Sequence, residues 1–351
     1  MRFSIIIPAF NAERYFCECL ASIDAQDFCD YELLLIDDGS SDGTAAIMDR
    51  YAAEHPNVNV RHGANEGLLL ARRNGLKIAK GDYVIFLDAD DCLKSNALEV
   101  INSAIVQSNA DIVAFHCSRE ADCSSAGDTS ALPEGLYDGK RYGLVKEHVC
   151  RGRFNNLWGK AFRSECIDIT ADYTAYKGLM HGEDLFQLLP IVEAATSLYQ
   201  LSDVLYFYRP NEQSSTARYR QSQLTDVVTV NRRLNEYAAS WGPACAESAY
   251  IGETNLYIYL LKMSELSDSR VSEKREAFNE IRAAMLREGV FQKRAGSGLR
   301  PDNRLILEGL EKGNRLMART ISMLSERIKS TVIRSGNRSL LEGIVGRLGF
   351  K

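Results

Sequence analysis

The sequence predicts an α/β fold, a mainly parallel sheet with helices on both faces, joined to a C-terminal region built of helices alone. Three observations predict it. Over the first 115 residues, short apolar runs of strand length alternate with helical patterns. Those runs are apolar throughout, the pattern of strands buried on both faces. From about Gln221 onward no strand-like run occurs.

Phe3 to Ile7 is the first run; Pro8 is expected to stop it and Asn11 to cap a helix through Phe16, Leu20 and Ile23. Glu32 to Ile36 is the second, and it ends in Asp37-Asp38-Gly39-Ser40-Ser41-Asp42-Gly43-Thr44, a loop of turn and cap residues ahead of a helix through Ile47 and Tyr51. Val58 to Arg61 is a third strand, followed by a helix from about Leu68 to Ala79. Tyr83 to Leu87 is entered through Gly81 and closes on Asp88-Ala89-Asp90-Asp91. Ala97 to Val106 reads as helix and Ile112 to Phe115 as strand. Ser118 to Pro133 is small and polar and reads as a surface loop. Helices are then expected over Leu224 to Tyr237, Ala246 to Leu266, Glu273 to Leu286 and Asn303 to Lys312.

At 351 residues the chain is long for one core, and we divide it into 1–115, 116–220 and 221–351. Nine cysteines, an odd number without a CxxC pair, read as reduced cytosolic thiols and not as a disulfide frame or zinc site. No run of eighteen apolar residues occurs, so neither a signal peptide nor a spanning helix is expected. GxGxxG and GxxxxGK[ST] are both absent, which disfavours a dinucleotide oxidoreductase and a P-loop NTPase.

In a parallel sheet the ligand crevice lies beyond the carboxyl ends of the strands. Three clusters fall there: Pro8 to Asn11, Asp37 to Asp42, and Asp88 to Asp91. Three carboxylates at the end of one apolar strand repel one another and resist desolvation, and a hard divalent cation relieves both costs. The alternative is that one of them caps the helix beginning near Ser95.

Pro8-Ala9-Phe10-Asn11, Asp37 to Thr44, Asn65-Glu66-Gly67, Ala71-Arg72, Gly75 and Leu87 to Asp91 together resemble family 2 glycosyltransferases of the GT-A fold, over roughly the first third of the chain. The resemblance implies a UDP-sugar donor bound by Pro8, Phe10, Asn11, Asp38, Arg72, Asp88 and Ala89. Asp38 would read the uracil edge, Arg72 hold the nucleotide and Asp88 the ribose, while Asp90 would bind Mg2+ or Mn2+ on the diphosphate. Arg73 stands where many members have Asn, which leaves open whether Arg72 or Arg73 faces the nucleotide.

Asn156 to Phe162 and His181 to Phe186 resemble the acceptor half of the same family. Asp184 is expected as general base, with Glu183 and Trp158 binding the acceptor. Two acids in a first helical turn also complement a helix dipole, and a lone Trp also packs a core. Lys160 is expected on the diphosphate or on an acid such as Glu183. Arg209, in Tyr206 to Arg209 ahead of Ser214-Ser215-Thr216, is expected on the departing diphosphate or in a surface ion pair. His181 is a third metal ligand or an ordinary loop residue.

Lys312 to Lys351 carries nine basic residues against two acids, +7, where the whole chain carries -5. Met317, Ile321, Leu324, Ile328 and Val332 share one helical face, with Arg315, Arg319, Ser322, Glu326 and Lys329 opposite. Such a helix suits an anionic membrane surface or docks on the protein's own core. Nucleic acid is not expected as a partner of so acidic a chain.

The resulting expectation is an inverting, metal-dependent glycosyltransferase. Its acceptor is a saccharide or lipid-linked saccharide, it works in bacterial cell-surface polysaccharide or lipid-linked oligosaccharide assembly, and it is cytoplasmic and peripheral on the inner face of the membrane. The rival is a nucleotide-sugar-binding scaffold without catalysis. A sugar nucleotidyltransferase would need a basic phosphate-gripping loop after the first strand, which is missing.

Overall fold

A computed structural model describes residues 1–126, 132–210, 219–293 and 298–335, with side chains through 326. The chain divides into two compact units, Met1–Glu212 and Gln213–Lys351. In the first unit the elements run β1 (Phe3–Ala9), α1 (Glu13–Asp24), β2 (Tyr31–Asp37), α2 (Thr44–Glu54), β3 (Val58–His62), α3 (Leu68–Leu76), β4 (Tyr83–Phe86), β5 (Cys92–Leu93) and α4 (Ala97–Ser108). They continue as β6 (Ile112–Ser118), β7 (Gly135–Asp138), α5 (Tyr142–Cys150), β8 (Lys160–Arg163), α6 (Glu183–Ala194) and β9 (Ser197–Phe207). All nine strands form one sheet in the order β3-β2-β1-β4-β8-β6-β9-β5, with β7 paired to β9. The residues on either side of position 115 thus share a sheet.

The β1, β2, β3 and β4 pairings are parallel, as the mainly apolar β1, β2 and β4 predict, while β3, Val-Asn-Val-Arg-His, is the partly exposed edge strand. Phe3, Ile5 and Ile7 face one core with Phe16, Leu20 and Ile23 of α1 and Leu98, Ile101 and Ile105 of α4. On the other face α3 comes so close that a Cβ on Gly75 would meet Ile6 at 2.5 Å.

Two expectations at β1 need correction. Pro8 does not stop the strand, which runs on to Ala9 and pairs with β2 as far as Ala9 and Asp37. On the other side, pairing with β4 ends at Ile6 and Phe86, so Pro8 lacks an N–H where no neighbouring strand would accept one. Asn11 does not cap α1 through its side chain; it sits at φ 51° and its Oδ1 accepts the Ser41 N–H at 2.8 Å. The start of α1 is satisfied instead from the loop after β2, where Thr44 Oγ1 accepts the Ala12 N–H and Asp42 Oδ2 the Glu13 N–H.

β8 was not foreseen. It inserts antiparallel between β4 and β6, pairing Ile85 with Ala161 and Tyr83 with Arg163. Its amino end therefore lies at the carboxyl end of β4, which brings Leu157 to Lys160 beside the acidic loop.

The second unit is helical: α7 (Ser222–Trp241), α8 (Pro243–Leu266), α9 (Val271–Arg287), α10 (Pro301–Glu311) and α11 (Arg315–Ser335). Its core joins Val227, Tyr257, Leu261, Phe278, Ile281, Ile306, Leu310 and Ala318. On α11 the buried face differs from the expected one: Ile321 of the apolar stripe packs on the core, but a residue expected opposite is buried and one of the stripe is exposed. Ala318 and Ser322 are fully buried, whereas Leu324 is 44% exposed, because the Ser322 hydroxyl satisfies itself on the Ala318 carbonyl at 2.8 Å and small residues allow the close approach. The first turns of α11 therefore dock on the helical core. The Ser214 to Thr216 motif and positions 336–351 of the tail lie outside the described residues.

Candidate active site

At the carboxyl end of β4 stands Arg72, a residue of α3 whose side chain is only 1% exposed and lies over the Phe86 ring. Its guanidinium donates to Asp88 Oδ1 at 2.9 Å and to Asp184 Oδ1, with Glu183 Oε1 at 4.0 Å. Burial works against this charge, but Asp184, Asp88 and Glu183 push its pKa up. One cation thus ties the loop after β4 to the first turn of α6. Arg73 turns the other way: it donates to the carbonyls of Asp168 and Ala171 and lies over the Tyr173 ring. Of the two arginines, Arg72 belongs to the acidic cluster and Arg73 secures the segment around residues 168–173.

The three carboxylates after β4 do different things. Asp88 Oδ1 receives Arg72, and burial raises its pKa. Asp90 is half-exposed, and its carbonyl accepts from Arg209 Nε at 2.8 Å. Asp91 is buried and structural, accepting the Tyr206 hydroxyl at 2.7 Å and the Arg209 N–H at 2.8 Å. Burial, then Asp88, pushes its pKa up to about 8. None of them caps α4, whose preceding Asn96 makes no side-chain cap either.

No group of three His, Cys, Asp or Glu side chains fit to hold a metal occurs among the described residues, so His181 completes no such set. Asp90 and Asp88 are hard oxygen donors, and the donor set fits a divalent cation that keeps waters or takes oxygens from its ligand.

Asp38 sits 7% exposed with its two oxygens accepting the N–H groups of Glu66 and Gly67 at 2.8 Å each. A carboxylate has about four acceptor sites, so this fixes the loop before α3 and leaves capacity for a ligand. Pro8 and Ala89 are buried, whereas Phe10 is 49% exposed on the loop after β1. Asp37 accepts from His62, whose other ring nitrogen meets Asp49, both at 3.0 Å; these contacts push the His62 pKa up and lock β2 to β3.

On the acceptor side, Gly182 at φ 83° opens α6, and Asp184 Oδ2 accepts the Leu157 N–H at 3.3 Å. Burial and the neighbouring Asp184 push Glu183 up to about 8. Trp158 stacks on Tyr206 and Tyr208 with centroids 5.0 and 5.3 Å apart, half-buried in an aromatic layer under Asp88 to Asp91. Lys160 is buried and donates to the Asn156 carbonyl at 2.6 Å, with its pKa pushed down to about 7 by burial; it does not pair with Glu183. Arg209 takes the ion-pair alternative, on Glu18 at 2.6 Å and over the rings of Tyr15 and Phe207. Sequence reasoning missed the placing of Tyr206, Tyr208 and Leu157 around this layer. The available signal was the aromatic run ending β9.

The sequence profile of glycosyl transferase family 2 matches residues 4–144, which contain Asp38, Arg72, Asp88 and Asp90. Over that stretch the chain is similar to glycosyl transferase family 2. Among its relatives is the glycosyltransferase EpsJ of Bacillus subtilis, 30% identical over 61% of this chain and 62% of EpsJ, so the match spans less than two thirds of that protein. EpsH of the same organism is 27% identical over 67% of this chain and 71% of its own length. The crystal structure of Staphylococcus aureus TarS 1–349 shares the fold, with a TM-score of 0.63 over 96% of this chain and 92% of that one at 19% identity. TarS 1–349 has also been solved with UDP-GlcNAc. The first unit is thus a GT-A-type domain, followed by helices.

Proposed function

We propose that the chain transfers a sugar from a UDP-sugar to an acceptor hydroxyl with inversion, in the assembly of a bacterial cell-surface polysaccharide or lipid-linked oligosaccharide. The observation that carries this reading is the Arg72 guanidinium joining Asp88, on the loop expected to hold the donor, to Asp184, on the helix expected to face the acceptor. The similarity of residues 4–144 to glycosyl transferase family 2 supports group transfer, and TarS offers a case of the same fold carrying UDP-GlcNAc.

In this reading Asp184 takes the proton from the acceptor hydroxyl. Glu183, with a pKa of about 8, is mainly protonated at neutral pH and can donate to the acceptor but is a poor base there. Asp90 with Asp88 would hold Mg2+ or Mn2+ on the diphosphate, where the cation stabilises the charge of the leaving group. A single displacement from the face opposite the leaving group inverts the anomeric centre. The basic tail supports a cytoplasmic protein held peripherally on the anionic inner face of a membrane, and salt-sensitive vesicle binding checks that placement.

The test is UDP release from a panel of UDP-sugars with saccharide acceptors, with Mg2+ or Mn2+ and with EDTA. Asp184→Asn keeps the shape but is a far weaker proton acceptor, so kcat should fall about a hundredfold or more while UDP affinity holds. A wild type that binds UDP but never turns over, or an Asp184→Asn variant slowed only a few-fold, overturns the assignment.

A further inference from the structure

The helical unit contains a cavity of about 330 Å³ whose charged lining is entirely cationic. Arg275 and Asn279 reach it from α9 and Arg315 and Arg319 from α11, with Phe278 and Leu316 as apolar wall. Among the described residues, one carboxylate answers these three guanidinium groups. Glu265, at the buried end of α8, is held by Arg315 through two hydrogen bonds of 2.8 and 3.0 Å. Arg319 Nε lies 3.7 Å from the same carboxylate, an ion pair too long for a hydrogen bond, and this nitrogen is buried without a hydrogen-bond partner while the side chain as a whole is 43% exposed. Arg275 enters no ion pair among the described residues. The lining therefore holds two positive charges in excess.

Its surroundings do not remove that excess. Arg282 behind the cavity is spent on the carbonyls of Leu310 and Glu311, at 2.9 and 3.2 Å. The rim is the first turn of α11, the positive end of a 21-residue helix. Guanidinium groups converging on a partly enclosed space repel one another, and none can shed its proton. Their planar forks match phosphate oxygens, and the volume falls at the lower end of the roughly 300–1,000 Å³ of small-ligand sites.

We propose that this cavity binds a phosphate monoester or diphosphate group, with Arg275 and Arg319 as direct ligands and Arg315, fixed by Glu265, as the floor. Leu316, 72% exposed beside the arginines, offers an apolar contact to the carrier of that group. A lipid headgroup and a soluble phosphate present the same chemistry. The inference does not rest on the transferase reading, because none of the residues assigned to donor or acceptor lies in this unit.

The test uses the full chain in EDTA at low salt, so that a cation-held diphosphate elsewhere does not contribute. Inorganic pyrophosphate is titrated calorimetrically. In parallel, flotation compares phosphatidylcholine vesicles containing phosphatidic acid, a monoester, with vesicles charge-matched by phosphatidylglycerol, a diester. We expect pyrophosphate binding, or preference for the monoester vesicles, and a loss of about tenfold or more in the Arg275→Gln/Arg319→Gln double variant at unchanged melting temperature. Arg315 is left alone because its removal would strand Glu265. If the double variant melts early, Arg275→Gln alone, on an exposed helix face, should still weaken binding several-fold. Monoester preference reversed by pyrophosphate identifies the lipid source; pyrophosphate binding without that preference identifies the soluble one. No pyrophosphate binding together with equal affinity for both vesicles, or variants that bind as the wild type does, overturns the proposal.

Discussion

The two units carry opposite charge problems. At the carboxyl edge of the sheet, Asp88, Glu183 and Asp184 surround the single guanidinium of Arg72, leaving negative charge in excess. In the helical unit, Arg275, Arg315 and Arg319 share a cavity wall with only Glu265 behind it, leaving positive charge in excess. The remedies differ because the chemistry differs. A buried carboxylate can take up a proton, and Glu183 and Asp91, both pushed up to about 8, do so at neutral pH. A guanidinium cannot give one up, so the second unit has only an external anion to turn to. Excess charge of one sign at an opening points to a ligand of the other, and its sign tells which kind.

The largest stability effect should come from removing the central cation of the first unit. Arg72→Met leaves Asp88 and Asp184 without their partner at a largely desolvated site, a situation that costs about 3–5 kcal/mol. Arg72→Lys should recover only part of this, since a compact ammonium lacks the planar spread of donors with which the guanidinium spans Asp88 and Asp184. Urea denaturation followed on the first unit checks both, and a loss under about 1 kcal/mol for Arg72→Met would mean that the cluster is already relieved by water.

In the second unit the corresponding weak point is packing. A Cβ on Gly309 would stand 3.0 Å from the Ala318 backbone nitrogen and 3.1 Å from its Cβ, where α10 meets α11. Gly309→Ala should cost about 1–3 kcal/mol by pushing α11 outward, and pyrophosphate binding should weaken with it because Arg315 and Arg319 ride on that helix. Unchanged stability and binding would show that α11 gives way without moving its arginines.

What the sequence made legible follows the same division. β1, β2, β4 and β6 are mainly apolar runs bounded by turn residues, and the acidic loops after β2 and β4 stand out as clusters, so the parallel core and the negative end of the sheet were both readable. Lys160 to Arg163 was not readable as a strand, because four residues flanked by Gly159 and Ser164 carry too little periodicity. Without β8 the meeting of Trp158 with Tyr206, and of Leu157 with Asp184, could not be derived. Arg72 on Asp184 joins residues 112 positions apart, a distance no local pattern encodes. In the second unit the helices were legible from their period. The cationic cavity was hidden because Arg275 with Asn279, and Arg315 with Arg319, each look like an ordinary solvated stripe at a spacing of four residues. The burial of Ser322 was hidden for the opposite reason, since a serine that bonds to its own helix passes for a polar face.

The smallest effect separates the protonation remedy from the ligand remedy, and Asp91 isolates it because its carboxylate serves structure: it takes the Tyr206 hydroxyl and the Arg209 N–H and stands outside the Arg72 pair. Its folded pKa of about 8 lies far above the roughly 3.9 of an unfolded aspartate. Between those values the folded state holds a proton that the unfolded state has released, so stability falls as pH rises through the window; the contribution is complete below about 4 and lost above about 8. Glu183 adds a slope of the same sign, and Lys160, lowered to about 7, adds one of opposite sign at higher pH, so the wild-type profile alone cannot assign it. Asp91→Asn mimics the protonated form at every pH and keeps a donor and an acceptor for Tyr206 and Arg209. The variant should match the wild type near pH 5 and exceed it near pH 9 by on the order of 1–3 kcal/mol, a few degrees in melting temperature. Parallel melting curves across that range, or a variant less stable at every pH, would show that Asp91 is ionised in the folded chain and that the surplus of negative charge at this end of the sheet is larger by one.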